Sequence, residues 1–142
     1  MNGSYYVKLD DKNRLIVPTK LRASLGETFY VTLGVNCGYR CLTVYTEEDW
    51  QKLTEKYNQL PIAQRGAATS LLFMFAADCT PDKQFRFMLP QDLLDYANLT
   101  RDVVIAGRAC QIEIWNDADF KKFVAENNNP DKLLESLQNV QI

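Results

Sequence analysis

The sequence predicts an α+β fold, mainly β, in which two internal repeats within one chain share a core and are decorated by helices. Three observations lead there. The stretch LDDKNRLIVPTKLRASLG returns seventy-two residues later within TPDKQFRFMLPQDLLDYANL, setting Asp10 against Asp82, Arg14 against Arg86, Pro18 against Pro90 and Leu21 against Leu93. Short runs of β-branched and aromatic residues recur in each copy between turn-forming residues. At 142 residues the chain has room to bury roughly two thirds of its unfolded surface, enough for one shared core.

The elements follow in order. Tyr5 to Leu9 is β-rich, Asp10 to Asn13 is turn-like, and Arg14 to Val17 reads as strand again. Pro18 suits a first helical turn and Gly26 a stop, which predicts a short helix over Thr19 to Leu25. Phe29 to Leu33 and Cys41 to Tyr45 alternate as strands around a loop from Gly34 to Gly38. Thr46, followed by Glu48 and Asp49, offers helix-start chemistry, and Trp50, Leu53 and Tyr57 fall at helical spacing. In the second copy Tyr30 to Gly34 is matched by Val103 to Gly107, Leu42 to Tyr45 by Ile112 to Trp115, and Trp50 by Phe120. A helix over Asp117 to Glu126 should turn Phe120, Phe123 and Val124 inward. Between the copies, Pro61 marks a break, and Ile62 to Phe75 reads as one helix with Leu71, Leu72, Met74 and Phe75 largely buried. The tail from Pro130 to Leu137 forms a last helix with Leu133, Leu134 and Leu137 on one stripe, covered either within the chain or by another subunit. The expected division is a first repeat over 1–60, a connecting helix over 61–76, a second repeat over 77–126 and a helical tail over 127–142.

Composition narrows the function. Charged residues, 24% of the chain, are interleaved with the apolar ones along almost its whole length, which argues against disorder away from the ends. The longest apolar run, Leu71 to Ala77, is far short of the roughly 18 residues a membrane span needs. The polar start, Met1-Asn2-Gly3-Ser4, lacks the basic and apolar regions of a secretory signal, so a cytoplasmic location is expected. Cys37, Cys41, Cys79 and Cys110 form no C-x-x-C pair and there is no histidine. No metal site and no cofactor are expected, and the thiols should be free. The same lack of histidine, of a phosphate-binding loop and of a dinucleotide fingerprint argues against an enzyme, and no catalytic residue is assigned.

The formal net charge is -2, which by itself speaks mildly against nucleic acid as partner. Its distribution speaks the other way. Residues 1 to 26 carry Lys8, Lys12, Arg14, Lys20 and Arg22 against Asp10 and Asp11, a surplus of three positive charges on an otherwise acidic chain. Such a segment binds phosphates if the cations share one face.

Asp-Asp-Lys-Asn-Arg-Leu, then Pro18 and Arg22, resembles the D-x-K-G-R-L-x-x-P-x-x-x-R signature of the MraZ family, and the copy from Asp82 resembles its second signature. The resemblance extends over nearly the whole chain. It implies a tandem swapped-hairpin β-barrel (double-psi-like, AbrB-type), similar to the AbrB, SpoVT and MazE domains, assembled with other chains into a homo-oligomeric ring. It implies a nucleoid-associated regulator of transcription that binds double-stranded DNA at direct repeats in the promoter of the division and cell-wall gene cluster. Carried onto this chain, a hairpin bearing Lys12 and Arg14 would supply a phosphate contact and a bidentate guanine contact, with Lys20 and Arg22 adding phosphate contacts and Lys83 and Arg86 in a secondary role. Asp10, Asn13, Asp82 and Phe85 are the structural turn positions. The family has glycine where this chain has Asn13 and Phe85; asparagine suits a left-handed backbone, whereas phenylalanine should be strained there or force another turn. Leu94 stands where copy one has Arg22. Arg14 and Arg86 have a second reading, in which they pair with Asp10 and Asp82 to brace the turns. The alternative function is an antitoxin-like or scaffold module, although no long acidic tail of the toxin-wrapping kind is visible.

Overall fold

Each copy opens with a strand whose hydrogen bonds go to the other copy. The computed structural model describes residues 1–141. Strand β1 (Asn2–Lys8) pairs antiparallel with β7 (Asp102–Arg108), Val7 opposite Val103. Its counterpart β5 (Ala77–Cys79) pairs with β3 (Phe29–Asn36), Cys79 opposite Phe29. With β4 (Tyr39–Thr46) and β8 (Gln111–Asn116) they build a six-stranded antiparallel sheet in the order β1-β7-β8-β4-β3-β5. The two remaining strands, β2 (Arg14–Ile16) and β6 (Arg86–Met88), form a separate two-stranded ribbon. The local hairpin expected of Tyr5 to Val17 is therefore not a two-stranded ladder of its own: β2 takes its partner from the other copy, with Leu15 opposite Phe87. The hydrogen-bonded ladder of the large sheet runs from β1 at one edge to β5 at the other.

Burial explains the exchange. Leu15, Val17, Leu21, Phe29, Val31 and Leu42 of copy one lie in the same cluster as Phe87, Leu89, Leu93, Val103, Ile105 and Ile114 of copy two. A fully buried side chain of this size stabilises by roughly 1.5–3 kcal/mol, so a core drawn from both copies holds them as one body. Phe29 and Phe87 meet edge to face across the copies, with ring centroids 5.1 Å apart.

The short helical piece after Pro18 is a 3-10 turn, Thr19–Leu21, continued by α1 (Arg22–Leu25) and stopped by Gly26 at φ +75. In α2 (Glu47–Gln59) the Thr46 hydroxyl accepts the Asp49 N–H, and three acids occupy the first turn. Both features offset the unpaired amides of a helix start. The same chemistry starts α5 (Asp117–Asn127), where Asn116 accepts the Asp119 N–H. Trp50 of α2 stacks on Tyr30 of the sheet, while Phe120 and Phe123 of α5 pack on Trp115. On this outer face the buried carboxylate of Glu113 accepts from Asn36 and Trp115 and faces Arg108 at 3.6 Å.

Four expectations need correction. The β3 to β4 loop is only Cys37 and Gly38, both at positive φ, and Gly34 lies within the strand opposite Cys41. A Cβ there would sit 2.4 Å from the Thr43 hydroxyl. Phe29 pairs with Thr46 as Val103 pairs with Asn116, so the repeat is displaced by one residue here relative to matching Tyr30 with Val103; only that register puts Phe29 and Val103 on the core face. The Ile62 to Phe75 segment is broken at Arg65 and Gly66 into a 3-10 turn (Ile62–Gln64) and α3 (Ala67–Met74). There Leu71, Met74 and Phe75 are exposed, and Phe73 packs inward against Trp50 and Tyr57. Val124 of α5 is likewise exposed. After α4 (Gln91–Tyr96) in the second copy, the chain ends in α6 (Pro130–Val140), whose Leu133, Leu134, Leu137 and Val140 all face solvent.

Candidate nucleic-acid interface

The two Asp-x-x-x-Arg turns fold alike. In copy one Asp10 Oδ1 accepts the N–H groups of Lys12 and Arg14, at 2.9 and 2.8 Å, while Oδ2 receives Arg14 Nε at 2.8 Å. In copy two Asp82 does the same for Gln84, Arg86 and Arg86 Nε, at 2.8, 3.0 and 2.9 Å. The bracing read as the second possibility for these arginines is thus present in both. For Asp10 partial desolvation is the largest influence and opposes ionisation, but the donors from Arg14 and Lys12 outweigh it and hold the carboxyl below its usual range. For Asp82 the Arg86 N–H leads, and the result is again a lowered pKa.

The fourth turn residue adopts φ +60 at Asn13 and +61 at Phe85. Phenylalanine therefore takes the first of its two expected courses: it keeps the turn that asparagine makes, in a backbone region that bulky side chains seldom enter. Each of these residues then offers its carbonyl to the other copy: Phe85 to the Val17 N–H at 2.8 Å, Asn13 to the Leu89 N–H at 3.0 Å. The Arg22 guanidinium lies 3.8 Å from the centroid of the Phe85 ring and donates Nε–H to the Val17 carbonyl.

Alternation along the ribbon sorts its side chains. Leu15 and Phe87 are buried, and Ile16 and Met88 are exposed. Arg14 and Arg86 are about a quarter exposed, at 25% and 30% of the side chain, so Nε is braced while part of each guanidinium still reaches solvent. The register sets Arg14 beside Met88 and Ile16 beside Arg86, a two-by-two outer face with arginines on one diagonal and apolar side chains on the other. Antiparallel pairing places one turn at each end of this face. Lys12 and Lys83 are exposed in these turns and Lys20 in the 3-10 turn that follows Pro18, and none has a carboxylate within 4.0 Å among the described residues. A cleft of about 500 Å³ opens beside the second turn, between Val17, Arg22, Ala23, Pro81, Lys83 and Phe85.

The structure brings Arg14 and Arg86 together with the two lysine-bearing turns, and it turns Arg22 away towards Phe85. Sequence reasoning missed Ile16 and Met88 on the outward face. The signal was available: Arg-Leu-Ile and Arg-Phe-Met occupy equivalent places with the period of a strand. Cys41 and Cys79 are buried, and burial first and then a neighbouring acid push each thiol up to about 12. No group of His, Cys, Asp and Glu that could hold a metal ion occurs among the described residues. No described helix is long and apolar enough to cross a membrane.

Fold and face together define a duplicated α/β module that builds an outward two-stranded ribbon, flanked by lysines, from both of its copies. Comparison with known proteins says which such module. The family model described as "MraZ protein, putative antitoxin-like" matches residues 1–71 and again 72–138. A protein of Clostridium tetani named Transcriptional regulator MraZ is 36% identical over 142 residues, covering 99% of this chain and 98% of its own length. Relatives of the same name from Caldicellulosiruptor bescii and Halothermothrix orenii are 36% and 41% identical, over 99% and 80% of this chain and 98% and 79% of their own lengths. The chain belongs to the MraZ family, a family of transcriptional regulators and not of enzymes.

Proposed function

We propose that this protein regulates transcription by laying the β2–β6 ribbon in the major groove of promoter DNA at short direct repeats. The observation that carries the reading is the ribbon's outer face, with Arg14 and Arg86 on one diagonal and unpaired lysines at both ends. The major groove, about 12 Å wide, admits a two-stranded ribbon. An arginine whose Nε is tied to a carboxylate keeps its terminal N–H groups in a fixed plane, which suits the paired acceptors of guanine. Ile16 and Met88 are placed to meet thymine methyls, and Lys12, Lys20 and Lys83 to meet phosphates. Copy one is the principal reader, and Lys83 and Arg86 are secondary.

The exchange of β1, β2, β5 and β6 between the copies supports reading the whole as a swapped-hairpin barrel of the AbrB type, with repeats over 1–60 and 77–126, a connector over 61–76 and a tail over 127–142. Several copies in a ring would face evenly spaced repeats and gain by effective concentration. The uncovered apolar stripe of α6 supports that assembly, and it equally suits the protein-binding reading that the antitoxin-like family description favours. By likeness to the family, the DNA is the promoter of the division and cell-wall gene cluster, and the protein works in the cytoplasm on the nucleoid. Titration against the repeat-bearing duplex from upstream of its gene, at several salt concentrations, tests the proposal. Binding that is tight, sequence-dependent and weakened by salt is expected; equal affinity for a scrambled duplex overturns it.

A further inference from the structure

The two copies differ at one point of the turn, and the residues that differ touch. Phe85 holds φ +61, a backbone region that bulky side chains seldom enter. Asn13 holds φ +60 in the other turn, where asparagine needs little help. Phe85 has the Arg22 guanidinium laid on its ring, while Leu94, at the place of Arg22 in copy two, is buried in the core. Arg22 and Phe85 also hold both backbone polar groups of one residue, Val17. The Val17 N–H donates to the Phe85 carbonyl at 2.8 Å, and the Val17 carbonyl accepts from Arg22 Nε at 3.0 Å.

We infer that Arg22 is a positioning residue: it clamps Phe85 so that the second turn keeps the left-handed shape that aims Lys83 and Arg86, instead of contacting phosphate itself. The inference rests on the DNA reading only for its last clause; the clamp is a property of the free protein. Its logic is a substitution in two places, since a ring that strains the turn has a cation from the other copy to hold it.

The test compares Arg22→Ala, Phe85→Asn and the double variant. In the free protein, Arg22→Ala lowers the Tm and speeds amide exchange across residues 82–86, and both effects shrink sharply when Phe85→Asn is present. On the repeat duplex, Arg22→Ala weakens binding about two- to thirtyfold, the span of a cation–π contact, leaves the log–log salt slope unchanged, and is rescued by Phe85→Asn. A slope reduced by about 0.9 without rescue makes Arg22 a phosphate ligand and overturns the inference. Additive Tm changes in the two single variants overturn it as well. Arg22→Gln gives the same readouts if the alanine variant folds poorly. If the wild type does not bind the duplex, the DNA reading falls, and the Tm and exchange measurements still decide the clamp.

Discussion

The two turns reach one backbone shape by different means. Asp10 and Asp82 hold the same bonds, and Asn13 and Phe85 differ by one degree in φ, yet one turn depends on an intrinsically permissive residue and the other on a partner from across the molecule. A phenylalanine in this conformation carries strain of order 1–3 kcal/mol, and a stacked guanidinium returns roughly 0.5–2 kcal/mol. Local propensity and tertiary contact are therefore interchangeable at a turn, provided that a core shared by both copies keeps the partner in reach.

The largest effects should come from that core. Phe87→Ala removes a ring that is 4% exposed and packed edge to face on Phe29, and should lower unfolding free energy by about 3–5 kcal/mol. Leu15→Ala, opposite it in the ribbon, should lower it by about 2–5 kcal/mol. Urea unfolding measures both. A loss below about 1 kcal/mol for either would mean that its strand contributes little to the common core, and the copies would then stand further apart energetically than their burial says.

Next in size is DNA binding. Arg14→Ala should weaken specific binding by about 1–3 kcal/mol if it reads a guanine. Arg86→Ala should lose less than this, and at least as much as Arg22→Ala, because Arg22 acts through the second turn. Calorimetric titration with circular dichroism as the folding control sets the order. Equal losses for Arg14 and Arg86 would reject the dominance of copy one.

Much of this was legible in the sequence because the repeat is carried by residues with fixed duties. Asp10, Arg14, Pro18 and their counterparts recur at one spacing, and each has a local role that a turn or helix start imposes. What stayed hidden was relational. Nothing local to Arg14–Ile16 says that its partner strand is Arg86–Met88, because strand exchange is decided by which pairing fills the core. Phe85 shows the same limit: its strain was visible in the sequence, but the Arg22 that offsets it lies 63 positions earlier in the chain. The segment Leu71 to Ala77 looked like core by composition, but a short helix buries only one side: Leu72 and Phe73 are half-buried there, while Leu71, Met74 and Phe75 are exposed.

A smaller effect separates the turns by charge. Lys12 stands at the tip of the first turn and Gln84 at the same place in the second. Lys12→Ala should reduce the log–log salt slope of duplex binding by about 0.9, one released counterion, and weaken specific and scrambled duplexes alike. Gln84→Ala should leave the slope where it is. A selective loss on the specific duplex would give Lys12 a base contact in place of a phosphate.

The smallest effect is acid sensitivity, and it too distinguishes the copies. Both carboxyls have folded pKa values below their unfolded ones, so their contribution is present at neutral pH and is lost as pH falls below roughly 4, through the folded value. Protonation of Asp82 should release more than that of Asp10. The second turn has Phe85 to restrain, so loosening its aspartate leaves the Arg22 stack as the main support, whereas Asn13 keeps the first turn without it. Amide exchange at pH 5 and pH 3 should show residues 82–86 opening before residues 10–14, and Asp82→Asn should reproduce at pH 6 most of what acid does to that segment. Were both turns to open together, their left-handed residues would be equally self-sufficient, and the strain assigned to Phe85 would have no consequence.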